Sequence, residues 1–253
     1  MPESSMGLSE EELKRYNRQI ILPNVGEEGQ KKIKAARVLL IGAGGLGSAA
    51  GFYLAAAGVG RIGIIDSDVV EISNLNRQIL HNNERIGKPK ADSARQTLAD
   101  LNPEIEIVAY QMRLTPENAL ELIKDYDLIV DCSDNFPARF LMNEICMHTG
   151  KPLFYGAISG FEGQTMTILP GAGPCYRCLY THAPAFPVGQ SFPVMGVLPG
   201  LIGVIQATEV LKFILGDTDL LVGRLLLYNA LTLDFFKLEV KRSPICPACR
   251  EIS

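Results

Sequence analysis

The sequence predicts an α/β fold with a Rossmann-like sheet, parallel in its N-terminal half and extended by antiparallel strands in its C-terminal half. Up to residue 160, short apolar segments alternate with helical segments of about ten residues, a pattern typical of parallel strands joined by right-handed crossovers. After residue 160 an alternating apolar and polar segment indicates an antiparallel strand. A glycine-rich turn directly after the first strand lies where such sheets bind ligands.

The composition is that of one folded domain. The 253 residues are 47% hydrophobic and 21% charged, which is enough for a single sizeable core. We therefore expect one domain over residues 1–253. It would comprise an N-terminal helical arm at 1–36, a parallel part at 37–160 and an antiparallel part at 161–253.

Charge and hydropathy exclude several classes of protein. The net charge of −4 and the absence of a Lys/Arg-rich tail argue against a general nucleic-acid binder. Residues 1–20 lack the apolar core of a signal peptide, so we expect a cytoplasmic protein without a membrane anchor. The uncharged stretch 38–60 is long enough to span a bilayer, but its glycines and the flanking Arg37 and Arg61 favour a strand, a turn and a helix.

The N-terminal arm is predicted to be helical, because Ser9 is a favourable N-cap and acidic residues follow it. Within the arm, the helical stretch that includes residues 15–19 should end before Pro23. In the parallel part, strands are predicted at 37–41, 61–65, 105–110, 128–130 and 152–157, and helices at 48–57, 91–101, 116–124 and 136–148. In the antiparallel part we predict a strand at 164–169, a long mobile connection over 171–200, an apolar helix at 201–215 and a hairpin at 225–231 and 235–240.

The turn after the first strand predicts a nucleotide site. Glycines there, among them Gly42, Gly44 and Gly45, let the backbone approach a phosphate, and the N-terminus of the next helix offers unpaired N–H groups. Asp66 ends the second strand, at the position where an acid reaches a pair of ribose hydroxyls. The turn alone does not distinguish a nicotinamide cofactor from a nucleoside triphosphate.

Residues beyond the turn favour a triphosphate with a metal ion. The segment 73–78 supplies amides and the guanidinium of Arg77, which can bind two phosphate oxygens. Lys90, just before a helix, is a second cation, and Arg18 would be a third if the N-terminal arm reaches a site. Asp134 follows the fourth strand, where a carboxylate can hold Mg²⁺ against phosphates.

Each of these groups also has an ordinary structural interpretation. Arg77 and Lys90 could be surface charges paired with Glu71 or Asp92. Asp134 could simply cap the helix that follows it. Any one group is therefore ambiguous, whereas several such groups at strand ends around one glycine-rich turn favour a nucleotide site.

Four of the six cysteines form two Cys-x-x-Cys pairs, Cys175/Cys178 and Cys246/Cys249. Four thiolates suit a closed, tetrahedral and structural Zn²⁺ site, which would hold the end of the chain against a distant loop. Two redox dithiols or an iron–sulfur cluster are alternatives. We expect the remaining thiols, Cys132 and Cys146, to be buried in the core.

Seven short motifs occur in order along the chain. They are Arg15-Tyr16-x-Arg18-Gln19, Gly42-x-Gly44-Gly45-x-Gly47, Asp66-x-Asp68, Ser73-Asn74-Leu75-x-Arg77-Gln78, Lys88-Pro89-Lys90, Asp131-Cys132-x-Asp134-Asn135 and Cys175-Tyr176-Arg177-Cys178. In combination they resemble the MoeB/ThiF/HesA family, the bacterial relatives of ubiquitin-activating enzymes, over residues 8–250.

The resemblance implies an adenylyltransferase that uses ATP and Mg²⁺. Its substrate would be the C-terminal Gly-Gly carboxylate of a small ubiquitin-like sulfur-carrier protein, of the molybdopterin-synthase small-subunit or ThiS type, and pyrophosphate would be released. In this interpretation residues 37–160 bind the nucleotide, and 161–253 bind the carrier and zinc. The family shares the four-cysteine zinc site.

The resemblance also implies roles for individual residues. The nucleotide-binding residues are expected to be Gly42, Gly44, Gly45, Asp66, Asp68, Ser73, Asn74, Arg77, Gln78, Lys90, Asp134 and Asn135. The catalytic residues are expected to be Arg18, Arg77, Lys90 and Asp134, with Asp134 binding Mg²⁺. Arg18 matches an arginine that enters the active site of the neighbouring protomer, which implies a homodimer.

One feature departs from many relatives of that family. Much of the family carries a cysteine in the loop after the first zinc pair, and in some members it binds the carrier covalently. Residues 179–193 hold no cysteine here and are rich in Pro and Phe, which suggests a mobile flap over the carrier's tail. We therefore expect the reaction to stop at the acyl-adenylate, with sulfur supplied by a separate donor protein.

Other functions stay open at this stage. The same fold could serve an ATP-dependent modification of a peptide or a tRNA. An NAD-dependent oxidoreductase would use the same glycine-rich turn, although no acid/base histidine is evident near a strand end. A non-catalytic binding module would result if the basic groups do not face the nucleotide.

Overall fold

Eight strands form one sheet in the computed structural model, which describes residues 7–182 and 193–250 except for the side chain of Arg250. The strands are β1 (Arg37–Ile41), β2 (Arg61–Ile65), β3 (Glu106–Tyr110), β4 (Leu128–Asp131), β5 (Leu153–Ser159), β6 (Glu162–Ile168), β7 (Arg224–Asn229) and β8 (Asp234–Glu239). Their order across the sheet is β3-β2-β1-β4-β5-β6-β7-β8. The strands from β3 to β5 in that order are parallel, and β6, β7 and β8 join antiparallel, so the predicted fold class is confirmed.

The predicted helices are present, with boundaries that differ by a few residues. The helices of the structure are α1 (Glu10–Arg15), α2 (Asn17–Ile20), α3 (Gly26–Ala35), α4 (Gly45–Ala57), α5 (Lys90–Leu101), α6 (Pro116–Ile123), α7 (Phe136–Thr149), α8 (Tyr176–Leu179), α9 (Leu198–Leu215) and α10 (Pro247–Arg250). Two short helices, α8 and α10, were not predicted. Two short 3₁₀ turns, Ile72–Asn74 and Asn83–Arg85, lie between β2 and α5.

The N-terminal arm is helical as predicted: α1 and α2 end by Ile20, before Pro23, and α3 follows that proline. Ser9 accepts the N–H of Glu12, and the Glu12 carboxylate accepts the N–H of Ser9, which completes a capping box. The third helix, α3, then carries acidic residues in its first turn and lysines in its last, as the helix dipole favours. It buries Ile33 against the sheet core.

The core has two layers because side chains alternate along each strand. Val38 and Leu40 of β1 face the layer that contains α4, α5 and α9, while Leu39 and Ile41 face the layer that contains α6 and α7. The two cysteine pairs lie in this second layer. The uncharged stretch 38–60 forms β1 and α4, as expected.

One helix of the described residues, α9, is long and apolar enough to span a membrane by length and composition. It packs against α4, β5 and β6, and Ile202 and Val210 are fully buried. Its hydropathy is thus explained in part by its place beside the sheet. The helix begins at Leu198, earlier than predicted, because Pro199 fits the first turn, where its missing N–H costs nothing.

The predicted long connection over 171–200 is more ordered than expected. It contains α8, and Val194 pairs with Gly160 next to β5. The predicted mobility of the cysteine-free loop concerns residues 183–192, which lie outside the described residues.

The strand order reverses direction between β1 and β4. The chain leaves β1 for β2 on one side and returns through β3 to β4 on the other. In open α/β sheets, ligands bind at the carboxyl ends of strands at such a point. Gly42 has a φ of 107°, and a Cβ there would lie 2.8 Å from the carbonyl oxygen of Cys132. Glycine therefore allows the turn after β1 and the segment after β4 to meet.

Candidate functional site

The glycine turn is anchored to the end of β2. Gly42 N–H donates to the Ile65 carbonyl at 2.8 Å, and Ala43 N–H donates to Asp66 Oδ2 at 2.8 Å. The other carboxylate oxygen of Asp66 accepts the N–H of Asp68 at 2.9 Å. Burial raises the pKa of Asp66. Asp66 therefore organises the turn, and each of its oxygens retains a further lone pair for a ligand.

Gly44 lies at the open mouth of the turn. Its N–H has no hydrogen-bond acceptor among the described residues. A Cβ at Gly44 would have only Gln78 Nε2 nearby, at 3.8 Å, so the space in front of it is open. Helix α4 begins at Gly45, and its first N–H groups point to the same side. This arrangement resembles the helix N-termini at which proteins bind anions.

A buried amide without a complete set of partners borders the turn. Gln78 is 6% exposed, and its Oε1 has no hydrogen-bond partner in the part of the chain that the structure describes. An unsatisfied buried amide oxygen is unfavourable unless a ligand or water supplies a donor. The residues around Gly44 thus fit a bound nucleotide better than a dry interior.

The segment after β2 contains Arg77, whose backbone carbonyl lies near Gly45. Asn74 is buried, and its Oδ1 accepts the N–H of Glu71 at 3.0 Å, which fixes the local 3₁₀ turn. Arg77 Nη1 donates to the Ser73 carbonyl and to Asn76 Oδ1, both at 2.9 Å. The structure shows no ion pair between Arg77 and Glu71, so that surface-pair interpretation is wrong.

Lys90 is a buried cation at the start of α5. The residue is 6% exposed, and Nζ lies 3.1 Å from Asp68 Oδ2. Its backbone N–H also donates to the Asp68 carbonyl, at 2.9 Å. The partner is thus Asp68, at the end of β2, instead of Asp92. An ammonium has three donors, so Lys90 can bind a phosphate oxygen while it keeps this pair.

The segment after β4 contains one buried and one exposed carboxylate. Asp131 is buried; its Oδ1 accepts the N–H and the hydroxyl of Ser133 at 3.0 and 2.6 Å. Burial raises the pKa of Asp131. Asn135 caps α7, because its Oδ1 accepts the N–H of Ala138 at 3.0 Å. Asp134 is exposed and does not form the cap, so its interpretation as a mere cap is wrong.

A cavity of about 390 Å³ extends from Asp134 along the antiparallel strands. Its lining includes Arg139, Glu162, Gln164 and Phe236. Arg139 is 8% exposed. The size lies within the range of ligand pockets. The cavity therefore joins the metal-binding candidate Asp134 to the surface of β6, β7 and β8.

Arg18 is not brought to this site within one chain. It lies exposed on α2, and the neighbouring Gln19 donates to the carbonyl of Ala57 at 3.1 Å. Ala57 ends α4, whereas the glycine turn begins it, and the 13 residues of α4 correspond to a length of about 18 Å. Arg18 thus lies near the opposite end of α4 from the turn.

The four cysteines of the two pairs form one cluster. All four Sγ atoms lie within 4.8 Å of one another. The shortest separations connect the two motifs: 3.6 Å for Cys175–Cys246 and 3.5 Å for Cys178–Cys249. Tetrahedral Zn–S bonds of about 2.3 Å place sulfurs about 3.8 Å apart. The cluster fits a metal ion and holds α8 against α10, while separate redox dithiols would not bring the motifs together.

Cys132 and Cys146 are buried, as expected. Burial raises the pKa of both thiols well above its usual range. A thiol that stays protonated is a poor nucleophile. His182 is exposed and contacts the hydroxyl of Thr181.

Sequence reasoning missed three buried polar residues around the site. They are His81, Arg139 and Gln206. His81 donates to the glycine turn, and Gln206 Nε2 donates to the carbonyls of Asp131 and Phe154 at 2.8 and 2.9 Å. For Arg139 and Gln206 the one available signal was a polar residue inside an otherwise apolar segment, which does not by itself identify a partner, and for His81, which polar residues follow, there was no such signal.

The chain is similar to known proteins over nearly its whole length. Residues 16–248 match the model of the ThiF family. The chain is 50% identical over 252 residues to the sulfur carrier protein adenylyltransferase of Thermus thermophilus, covering 96% of this chain and 93% of that protein. It is 45% identical over 250 residues to the SAMP-activating enzyme E1 of Haloferax volcanii, covering 98% and 92%.

A solved structure shares the fold. The crystal structure of E. coli MccB with ATP has a TM-score of 0.82 at 23% identity, covering 93% of this chain and 74% of that chain. At this identity the likeness concerns the fold alone. The expected enzyme class, an adenylyltransferase, is confirmed by the sequence relatives. The chain, which matches the family model over residues 16–248, belongs to the ThiF family.

Proposed function

We propose that this enzyme adenylylates the C-terminal Gly-Gly carboxylate of a small ubiquitin-like sulfur-carrier protein. A carboxylate oxygen of the carrier attacks the α-phosphorus of ATP, the bond to the β-phosphate oxygen breaks, and pyrophosphate leaves. The names of the Thermus and Haloferax relatives support this substrate class. The observation that carries the proposal is the exposed Asp134, which lines the cavity and follows Cys132, the residue whose carbonyl oxygen meets the glycine turn at Gly42.

The nucleotide would lie across the carboxyl ends of β1 and β4. In this proposal the N–H of Gly44 and the N-terminus of α4 bind phosphate oxygens, and Asp66 binds the ribose. Gln78 offers its unpaired Oε1, and Arg77 and Lys90 neutralise the developing charge. The remaining positions of the expected set, which are Gly42, Gly45, Asp68, Ser73, Asn74 and Asn135, shape or border the same space.

The carrier's tail would enter through the cavity. An extended chain advances about 3.3 Å per residue, so two glycines without side chains can reach from the antiparallel strands toward Asp134. This assigns carrier binding to the part 161–253 and nucleotide binding to the part 37–160. The single continuous sheet supports one adenylation domain that contains both.

No side chain has to act as a base, because a carboxylate is already ionised at neutral pH. The chain's contribution is to position the two reactants and to stabilise negative charge. Asp134 is placed to hold Mg²⁺, which would neutralise phosphate charge when bound. The Asp134 carboxylate is exposed and therefore accessible to such an ion.

The product is proposed to be the free acyl-adenylate, without a covalent cysteine intermediate. Residues 179–193 contain no cysteine, and the buried Cys132 and Cys146 have raised pKa values. The other four thiols form the cluster that we propose to hold zinc. Sulfur would then come from a separate donor protein.

We also propose a homodimer in which Arg18 acts in the site of the partner subunit. Its position near the end of α4 that lies opposite the glycine turn supports action between subunits. Exposed apolar side chains follow it in sequence at Ile21 and Leu22. Exposed apolar side chains that form a patch are typical of protein interfaces.

An ATP–pyrophosphate exchange assay tests the function. We expect exchange only when a Gly-Gly-ending carrier is added, and we expect a carrier that lacks its last glycine to be inactive. Carriers of the molybdopterin-synthase small-subunit type and the ThiS type would be compared. Exchange with a short peptide or a tRNA and none with any carrier would contradict the proposal, as would NAD-dependent hydride transfer. A carrier conjugate that resists ATP removal but breaks with thiol would refute the absence of a covalent cysteine.

A further inference from the structure

His81 lies directly behind the glycine turn. Its Nε2 is 2.9 Å from the carbonyl oxygen of Ala43, and its Nδ1 is 2.8 Å from Ser93 Oγ. Because a carbonyl only accepts hydrogen bonds, Nε2 carries the hydrogen and Nδ1 accepts from the Ser93 hydroxyl. The residue is 6% exposed, so these two bonds define its orientation.

The bond to Ala43 determines where the next N–H points. A trans peptide is planar, and its C=O and N–H groups face opposite ways. The described residues contain no cis peptide bond. With the Ala43 carbonyl turned toward His81, the N–H of Gly44 must turn toward the open mouth of the turn. This is the N–H that has no acceptor in the described chain.

The turn would be free to adopt another arrangement without this contact. Asp66 holds the N–H of Ala43, but it does not restrain the peptide between Ala43 and Gly44. Glycine accepts backbone angles that other residues avoid, so this peptide can rotate with little steric cost. A rotated peptide would present a carbonyl oxygen to the phosphates, which is repulsive.

His81 also connects the turn to the helix that carries Lys90. Ser93, its second partner, lies one turn after Lys90 on α5. The guanidinium of Arg85 donates to the Ser93 carbonyl and to the hydroxyl of Thr97, which fixes the start of this helix. One chain of hydrogen bonds therefore runs from the Gly44 peptide through His81 to α5.

We propose that His81 is a positioning residue that aims the Gly44 N–H at a phosphate of the nucleotide. This rests on the proposed function, because it assumes that the turn binds ATP. His81 acts through the backbone of Ala43 and touches no reactant. This role requires a hydrogen-bond donor at the position of Nε2. It does not require a protonated, positively charged imidazole ring.

The test compares His81→Gln with His81→Met. Glutamine can place an N–H near the position of Nε2, whereas methionine has a similar size and no donor. We expect His81→Met to raise the KM for ATP in carrier-dependent exchange by about 10- to 100-fold with kcat little changed, as for a lost bond to a charged group. His81→Gln should stay within a few-fold of wild type, and Ser93→Ala should show a smaller rise. Thermal unfolding of each variant checks that it is folded.

Crystal structures of the nucleotide-free variants provide a second readout. We expect the Ala43–Gly44 peptide to be rotated or present in two orientations in His81→Met and unchanged in His81→Gln. An unchanged peptide with a wild-type KM in His81→Met would overturn the proposal. Equal losses of ATP affinity in both variants, with the peptide unchanged, would also overturn it, because they indicate packing. If the wild-type enzyme shows no carrier-dependent exchange, only the proposed function fails. The role of His81 can still be tested, because the peptide orientation is measured without nucleotide.

Discussion

Asn135 caps helix α7 and donates its side-chain amide to Asp134, at 3.2 Å from Asp134 Oδ1. The two adjacent residues thus divide two tasks that the sequence could not separate. Asn135 satisfies a backbone N–H at the helix start, and Asp134 keeps an exposed carboxylate at the end of β4. We therefore expect a substitution of Asp134 to affect mainly activity and a substitution of Asn135 to affect mainly stability.

We expect Asp134→Asn to reduce carrier-dependent pyrophosphate exchange by at least about 100-fold, because it removes the proposed Mg²⁺ ligand and its charge. The free energy of unfolding should change little, because Asp134 does not cap the helix. Asn135→Ala is the matched variant for the cap, and it should lower the free energy of unfolding by about 1 kcal/mol. Urea unfolding and exchange rates measure both quantities. Wild-type exchange in Asp134→Asn would contradict the role of Asp134.

The four-cysteine cluster predicts one bound metal ion per chain. We expect elemental analysis to find zinc in a one-to-one ratio and Cys249→Ser to lose it. The free energy of unfolding of Cys249→Ser should fall by at least about 2 kcal/mol, since the metal holds α8 against α10. Cys146→Ala is the control, because this buried thiol lies outside the cluster and its substitution should leave the metal content unchanged. Iron in place of zinc would favour the iron–sulfur alternative.

Burial of His81 predicts a loss of stability at mildly acidic pH. Burial lowers the pKa of His81 in the folded protein, and the charges of Lys90 and Arg85 act in the same direction. The ordinary value of 6.5 applies to the unfolded chain. Below pH 6.5 the unfolded chain therefore binds a proton that the folded protein does not, so the free energy of unfolding decreases as the pH falls.

The measurement is the free energy of unfolding of wild type and His81→Gln between roughly pH 7 and pH 5. We expect a shallower decrease in His81→Gln, since glutamine does not titrate. Titration of carboxylates affects both proteins alike and cancels in the comparison. Identical slopes would show that His81 keeps an ordinary pKa in the folded protein.

The position of Arg18 predicts complementation between two inactive variants. Arg18→Ala and Asp134→Asn should each lose most exchange activity as homodimers. In a mixed dimer one site carries both substitutions and the other carries neither, so random co-expression should restore about a quarter of wild-type activity. Mixing the purified proteins without subunit exchange is the control. No recovery in verified mixed dimers would place Arg18 in the site of its own chain.

Much of the fold was predictable because its signals are local. The turn after β1, the alternation of β and α segments and the capping box at Ser9 each depend on neighbouring residues. The predicted helix end before Pro23 is present at Ile20, and a new helix, α3, starts three residues after this proline, because a proline interrupts a helix without preventing another from starting. The connection over 171–200 was predicted too loosely because α8 forms next to the cysteine cluster, a contact with the end of the chain.

By itself, the sequence determined the glycine-rich turn, the two Cys-x-x-Cys pairs and the set of charged residues near strand ends, because glycine, thiolate and carboxylate chemistry is tied to residue type and spacing. The tertiary structure decided which partner each of these groups contacts. Lys90 pairs with Asp68, Asn135 takes the cap, and His81 reaches the carbonyl of Ala43. Such pairings join segments far apart in the chain, and only the folding of β1, β2 and α5 against one another brings their atoms within hydrogen-bond distance.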